Sequence, residues 1–382
     1  MEKVYFDNAA TTRMRSEVVD QIATVMRDCY GNPSSTHAYG RSAKSLIEQA
    51  RKGIAKILNV TAPEIIFTSG GTEADNLVLN SAVRDLGVDR IISSRIEHHA
   101  VLHTLDQLEK VYGTRVDYVK LDQCGHIDYS HLEELLSREG NKTLVSLMHV
   151  NNEVGNITDI RRVGGLCREY NALFHSDTVQ SVGHFKLDFS EIPVDFAAVS
   201  AHKFHGPKGV GFAYIKKNSG LRPLIFGGEQ ERGLRAGTEG VHNIVGLYKA
   251  LEIATDKLQE EKEYILSLKN YFIEQLRSAL PGVKFNGTCD DFEKSTYTLV
   301  NACLPFSAEK AMLLLFQLDL HGIACSKGSA CQSGSDKGSH VLSEFLSEED
   351  LQKPSVRFSF SHYNTKEEID HVVQVLKEYG EK

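Results

Sequence analysis

The stretch Val194-Asp-Phe-Ala-Ala-Val-Ser200-Ala-His-Lys203-Phe-His-Gly-Pro-Lys-Gly209 decides how this chain is read. An apolar run, Val194 to Val199, leads into Ser200-Ala-His-Lys203 and meets a turn signal at Gly206-Pro207-Lys208-Gly209. Lysine is a poor strand terminus. Its four-carbon stem can, however, carry an amine out of a packed sheet to a carbonyl, and a desolvated lysine amine shifts toward its neutral, nucleophilic form. Lys203 is therefore a candidate for Schiff-base chemistry, beside the plainer alternative of a solvated lysine at a loop entrance.

Outward from that run, short apolar segments alternate with helical periods from about residue 50 to residue 215. The runs are Glu64 to Thr68, Arg90 to Ser94, Val116 to Leu121, Thr143 to Val150, Leu173 to Asp177, Phe196 to Ser200 and Gly211 to Ile215. Helix-spaced apolar residues fill Ala43 to Leu58, Ala74 to Leu86 and Ile160 to Tyr170. Such alternation predicts an α/β fold with a mostly parallel sheet covered on both faces, and ligands in these sheets sit outside the carboxyl ends of the strands. A charged amphipathic stretch from Val241 to Leu280, stopped by Pro281-Gly282, reads as one helix linking two domains. Beyond it, Thr296 to Val300, helical Ala308 to Leu318, strand-like Val356 to Phe360 and a final helix from Thr365 to Tyr379 predict a smaller α+β unit.

The bulk properties narrow the function. The 382 residues are 41% hydrophobic and 25% charged, which excludes a disordered or collagen-like chain, and no apolar run is long enough for a membrane span. The start, Met1-Glu-Lys-Val-Tyr-Phe-Asp, is too acidic and too briefly apolar for a secretory signal, so a cytoplasmic location is expected. A net charge of -8 argues against bulk binding of nucleic acid or of an anionic membrane. The seven cysteines are widely spread without a Cys-x-x-Cys pair, as fits a reducing compartment. Cys331 stands apart from the others. Its segment, Ser326 to Ser339, has eight serines or glycines in fourteen positions, a composition that disfavours regular structure and allows wide excursion.

Two further segments carry chemistry. Thr68-Ser-Gly-Gly-Thr-Glu-Ala-Asp-Asn76 lies between a strand and a helix, where two glycines, the first helical N–H groups and the Thr72 hydroxyl suit a phosphate. An ordinary βα loop with an N-cap threonine reads the same way. Neither a Walker A loop nor a dinucleotide fingerprint is present, so a phosphate on something other than a nucleotide is preferred. Asp177 closes the run Leu173-Phe-His-Ser, with Gln180 three residues on. It suits either the pyridinium partner found in enzymes that use pyridoxal phosphate or an N-cap.

Taken together, the blocks resemble the cysteine desulfurases, pyridoxal-phosphate enzymes of fold type I in the class V aminotransferase superfamily. The match runs nearly end to end. It comprises Phe6-Asp-Asn-Ala-Ala-Thr-Thr12, Gly31-Asn-Pro-Ser-Ser-Thr-His37, Ser69 to Asn76, Glu97-His-His-Ala-Val101, Asn151-Asn-Glu-Val-Gly155, Asp177-x-x-Gln180, Ser200-x-His-Lys203, Arg235-x-Gly-Thr238, Gly328-Ser-Ala-Cys331 and Ser355-Val-Arg357. The Gly-Ser-Ala-Cys sequence and the long loop around it are similar to the group I branch, associated with iron–sulfur cluster assembly, and the group II pattern is absent.

The resemblance implies a large domain over 15–255 with a seven-stranded, mostly parallel sheet. Residues 1–14 and 256–382 would form the small domain, carrying a mobile cysteine loop at 326–339. Lys203 would hold pyridoxal 5'-phosphate, Asp177 would pair with its ring nitrogen, Gln180 would face its phenolic oxygen, and His98 would stack on the ring and shuttle a proton. Gly71, Thr72, Ser200 and His202 would bind the phosphate, joined by Thr238 from the partner in a homodimer. Asn152 would contact the cofactor and, with Arg357, hold L-cysteine, the arginine gripping its carboxylate through a bidentate fork. Cys331 would take the sulfur as a persulfide and pass it to an acceptor protein, releasing alanine. Five to eight extended residues reach on the order of 15 to 25 Å, enough to leave a cleft.

Other readings are a selenocysteine lyase, a class V aminotransferase, or a non-catalytic sulfur-assembly scaffold that keeps the fold. His98, His99 and His103, and His202 with His205, lack the acidic partner of a His-Glu-x-x-His site, and no metal is expected. Two positions depart from the family pattern. Cys325 stands where an aliphatic residue is expected and offers a second thiol that could intercept the persulfide. Ser361 replaces a glycine. The chain also ends soon after its last helix, leaving little tail for docking a scaffold protein.

Overall fold

The computed structural model describes residues 3–138, 140–327 and 338–381. Its first part runs through β1 (Val4–Tyr5), α1 (Ser16–Asp28), α2 (Ala38–Ile57), β2 (Ile65–Thr68), α3 (Gly71–Leu86), β3 (Arg90–Ser93), α4 (His99–Tyr112), β4 (Arg115–Tyr118), α5 (Tyr129–Leu136) and β5 (Thr143–Ser146). Then follow α6 (Ile160–Glu169), β6 (Leu173–Asp177), β7 (Phe196–Ser200), β8 (Gly211–Ile215), α7 (Val241–Asp256) and α8 (Leu258–Ala279). The last part holds β9 (Lys284–Phe285), β10 (Leu299–Cys303), α9 (Ala308–Leu320), β11 (Ile323–Ala324), α10 (Glu348–Leu351), β12 (Ser355–Ser359) and α11 (Lys366–Glu381).

The seven apolar runs pair into one sheet in the order β2-β8-β7-β6-β5-β3-β4. Every neighbouring pair is parallel except those made by β8, which runs antiparallel to β2 and β7. Alternate residues feed the two layers of the large-sheet core, one on each face. Ile66, Ile91, Leu144, Phe196, Ala198 and Ala213 pack with α3 and α4, while Phe67, Ile92, Val145, Phe174, Ala197 and Phe212 pack with α1, α2, α6 and α7. Burial on both faces is why these strands, apart from the half-exposed edge strand β4, read as apolar runs.

The register then fixes the chemistry. His175 lies opposite Phe196 and Asp177 opposite Ala198, so Asp177 and Ser200, each two residues from an α3-facing side chain, emerge on the α3 side at the strands' carboxyl ends.

A second core gathers Leu268 and Phe272 of α8, Leu314 and Leu318 of α9, and Ile369, Val372 and Leu376 of α11 against the antiparallel sheet β12-β10-β9. Val4 and Phe6 belong to it as well. β1 pairs in parallel with β11, and the Phe6 backbone bridges Ala324 O and Ser359 N at 2.8 Å each. The start of the chain is thus inserted between β11 and β12.

One sequence expectation fails here. Val241 to Leu280 is two helices, not one, broken at Lys257 with φ -97° and ψ 5°. The break has a packing cause: α7 lies in the large-sheet core and α8 in the second core, so the chain must change direction between them. Neither glycine nor proline marks the spot, which is why the periodicity read straight through it.

Candidate active site

A short 3₁₀ turn over Ala201–Lys203 follows β7 and brings Lys203 to a cleft of about 210 Å³ outside the sheet. Its Nζ donates to the carbonyls of Ala9, 2.6 Å away, and Ala10, 2.9 Å away. Gln180 Nε2 donates to the same Ala9 carbonyl at 3.0 Å. The Phe6–Thr12 block therefore crosses the cleft, and Thr12 N bonds His202 O at 2.9 Å to hold it there. The cleft is lined by Gly71, Thr72, His98, Asn152, Asp177, Gln180, Ser200, His202, Lys203 and Arg357. Of the sequence-predicted site residues that the structure describes, only Thr238 is not on its wall, lining a separate hollow with Ser69 and Gly209; Cys331 lies outside the described residues.

One corner suits a phosphate. α3 begins at Gly71 with no side chain capping it, so the N–H groups of its first turn point outward beside Thr72, Ser200 and His202. Gly71 is required there, because a Cβ would stand 2.6 Å from Val179 Cγ2. His202 Nδ1 contacts Thr11 Oγ1 at 3.1 Å, and burial first, then Lys203, pull its pKa down to about 4.

The middle of the cleft suits an aromatic ring with a basic nitrogen. Asp177 is buried, accepts from Val179 N at 2.9 Å, and burial pushes its pKa up to about 6. A pyridinium partner would repay that desolvation and hold the carboxylate ionised. The expected alternative, an N-cap, does not apply: Asp177 closes a tight turn and no helix follows before β7. His98 caps α4, its Nδ1 accepting from Ala100 N at 3.1 Å. Burial, followed by Lys203, lowers its pKa to about 4, so at neutral pH the ring is uncharged with its proton on Nε2. The residues present thus fit a phosphorylated pyridine aldehyde: an amine, a phosphate corner, a carboxylate and a flat neutral ring around one cavity.

Opposite stands Arg357 on β12, its side chain 2% exposed. Nη1 donates to Asn152 O at 2.7 Å and Nη2 to Asp7 Oδ1 at 3.0 Å, while the buried Nε has no partner among the described residues. A buried donor without a partner is costly, and a carboxylate in the cleft would satisfy it.

Sequence reasoning missed several polar residues around this site. Asp75 also lines the cleft, with Oδ1 3.4 Å from His175 Nε2, and His175 Nδ1 meets Ser146 Oγ at 2.9 Å. Burial raises Asp75 well above the usual carboxylate range and lowers His175 to about 3, so the pair is neutral despite its salt-bridge geometry. Glu97 accepts from Ser94 Oγ and Met148 N, and burial pushes it up to about 8. Asp75 and Glu97 stood in quoted blocks, and only the fold reveals that they are buried beside Asp177. Cys325 is half-buried and its thiol is pushed up to about 12, by burial first and then by Asp7. Of the histidines weighed as metal ligands, His99 and His103 have rings 4.8 Å apart and His99 lies 4.3 Å from His340, while His205 packs on His362 at 4.6 Å.

Both ends of the cysteine-bearing segment reach this site. Ser326 pairs its backbone with Arg357, and on the far side His340 Nε2 contacts Glu97 O at 2.9 Å while Ser339 Oγ donates to Glu153.

These features define a fold type I transferase, and comparison places it. Residues 4–372 match the aminotransferase class-V family, to which the chain belongs. The cysteine desulfurase IscS of Dictyoglomus turgidum (strain DSM 6724 / Z-1310) is 40% identical over 382 residues, 100% of this chain and 95% of that protein. The putative cysteine desulfurase IscS 1 of Bacillus subtilis (strain 168) is 42% identical over 99% of each chain. A solved NifS-like protein superposes with a TM-score of 0.89 at 36% identity, covering 99% of both chains. Within its family, this chain is a member of the cysteine desulfurase group.

Proposed function

We propose that this enzyme uses pyridoxal 5'-phosphate to remove sulfur from L-cysteine, leaving L-alanine and a persulfide on Cys331. The observation that carries the proposal is the single cleft in which Lys203, Asp177 and the α3 N-terminus from one core face Arg357 from the other. When bound, the cofactor supplies an electron sink for charge developing at the substrate Cα. Lys203 would anchor it, Asp177 would hold its ring nitrogen protonated, Gln180 would serve its phenolic oxygen, and Gly71, Thr72, Ser200 and His202 would take its phosphate.

Arg357 and Asn152 orient the substrate through its carboxylate, which aims the sulfur at the mouth of the cleft. Lys203 Nζ and His98 Nε2 are the groups that move protons at the substrate carbons. The Cys331 thiolate attacks the substrate sulfur, so that an S–S bond forms as the Cβ–S bond breaks. The electron pair of that bond stays with the carbon skeleton, which is protonated and leaves as alanine. Cys331 lies five residues beyond Ser326, a reach of about 17 Å when extended, and Ser326 is bonded to a cleft residue.

Thr238 completes the phosphate site of a partner subunit in a homodimer. Its place away from its own cleft supports that reading. A sulfur-acceptor protein, such as one that assembles iron–sulfur clusters, takes the product in the cytoplasm. Among the described residues no helix is long and apolar enough to cross a membrane.

Incubation with L-cysteine and a thiol reductant tests the reaction. Alanine and sulfide should appear in equal amounts. An oxo acid in place of alanine would point to an aminotransferase, and no product from a fully loaded protein would point to a scaffold.

A further inference from the structure

Asp7 belongs to the Phe6–Thr12 block that crosses the cleft. Its backbone is fixed by the insertion of the chain start: Phe6 N reaches Ala324 O, Ser359 N reaches Phe6 O, and Asp7 bridges Ser359. Its Oδ1 accepts from two donors, Ser326 Oγ at 2.7 Å and Arg357 Nη2 at 3.0 Å. Ser326 and Arg357 are themselves joined by two backbone bonds, of 3.3 and 2.7 Å. Arg357 lines the cleft and Asp7 does not, so the carboxylate works from behind the guanidinium.

We propose that Asp7 is a positioning residue that sets the Arg357 fork for the substrate carboxylate and locks it to Ser326. The inference rests on the reading of Arg357 given above. A guanidinium this deeply buried needs acceptors to offset its lost hydration, and a planar fork binds a carboxylate well only when its plane is fixed. Asn152 O holds Nη1 and Asp7 holds Nη2, leaving Nε as the one nitrogen with no partner among the described residues. Removing Asp7 would let the side chain rotate toward the lost volume and blunt selection for ligands that carry a carboxylate. It would also release the Ser326 hydroxyl, so the substrate grip and the foot of the cysteine-bearing segment are held by the same oxygen.

The test is a binding titration in the Cys331→Ser holoenzyme, followed by cofactor absorbance, with L-cysteine and with cysteamine, which lacks the carboxylate. Asp7→Ala should weaken L-cysteine about tenfold, the scale of one charge-assisted hydrogen bond, and leave cysteamine unchanged. Asp7→Asn, which keeps an acceptor oxygen at the same place, should restore L-cysteine to within about threefold of the parent. Equal weakening of both ligands, no weakening of either, or failure of asparagine to rescue would overturn the proposal. Arg357→Ala serves as the control: if it still prefers L-cysteine to cysteamine, the reading of Arg357 falls. If it loses the preference while Asp7→Ala keeps it, only the role of Asp7 falls.

Discussion

The two walls of the cleft are built on different plans. The large-sheet wall holds Lys203, Asp177, Ser200 and the start of α3 at strand ends, where register and a two-faced core dictate each position. The β12 wall holds Arg357 by side-chain and backbone hydrogen bonds to Asp7, Asn152 and Ser326, groups drawn from three distant parts of the chain. The first wall is suited to the proposed cofactor, which would stay in place through every turnover. The second is suited to the parts that change, a substrate that enters and a thiol segment that must reach it. Under the proposed function, the cofactor site and the substrate-carboxylate site would thus be separated by core as well as by residue.

Damage to the first wall should abolish turnover by any measure. Lys203→Ala should lower the rate about 10³-fold or more and remove the yellow absorbance of the lysine-bound cofactor. A coloured, active Lys203→Ala protein would dissolve the distinction between the walls.

Asp177 should show the next largest effect, and a pH signature. Burial raises its pKa to about 6 in the ligand-free site, so below pH 6 the carboxyl is protonated and loses its attraction for a pyridinium. Reconstitution of the apoprotein should therefore weaken as pH falls through 6, by up to about tenfold per unit. Asp177→Asn should weaken cofactor binding and abolish that step, a comparison that separates Asp177 from the cofactor's own titration.

Smaller still, Thr238→Ala should weaken cofactor binding several-fold, by about 1 kcal/mol for one hydrogen bond to a phosphate. A strictly monomeric protein of full activity would contradict its assignment to the partner's site. Least of all, Cys325→Ala should change sulfide release by less than about twofold, because a thiol held near 12 stays protonated at neutral pH and is a poor nucleophile. A large loss would mean that the second wall uses two thiols.

The large-sheet wall was also the more legible. Its seven runs and the residues at their ends follow local rules, apolar periodicity and turn chemistry, and Asp177 at a strand end, with Lys203 and Thr72 just beyond two others, stood where such sheets bind ligands. The other wall was legible only by family resemblance for Arg357 and not at all for Asp7, since a contact across 350 positions leaves no periodic trace. The same holds for the neutral Asp75–His175 pair, whose members look like ordinary polar residues until the sheet and α3 bury them. The Lys257 break escaped because it is set by two cores competing for one helical stretch.

The separation of the walls is tested most directly by Cys331→Ser in the loaded enzyme. On adding L-cysteine, the cofactor spectrum should change as it does in the parent, since the first wall and Arg357 are intact, while neither sulfide nor alanine accumulates. Release of both at the parental rate, or loss of the spectral change, would contradict the account.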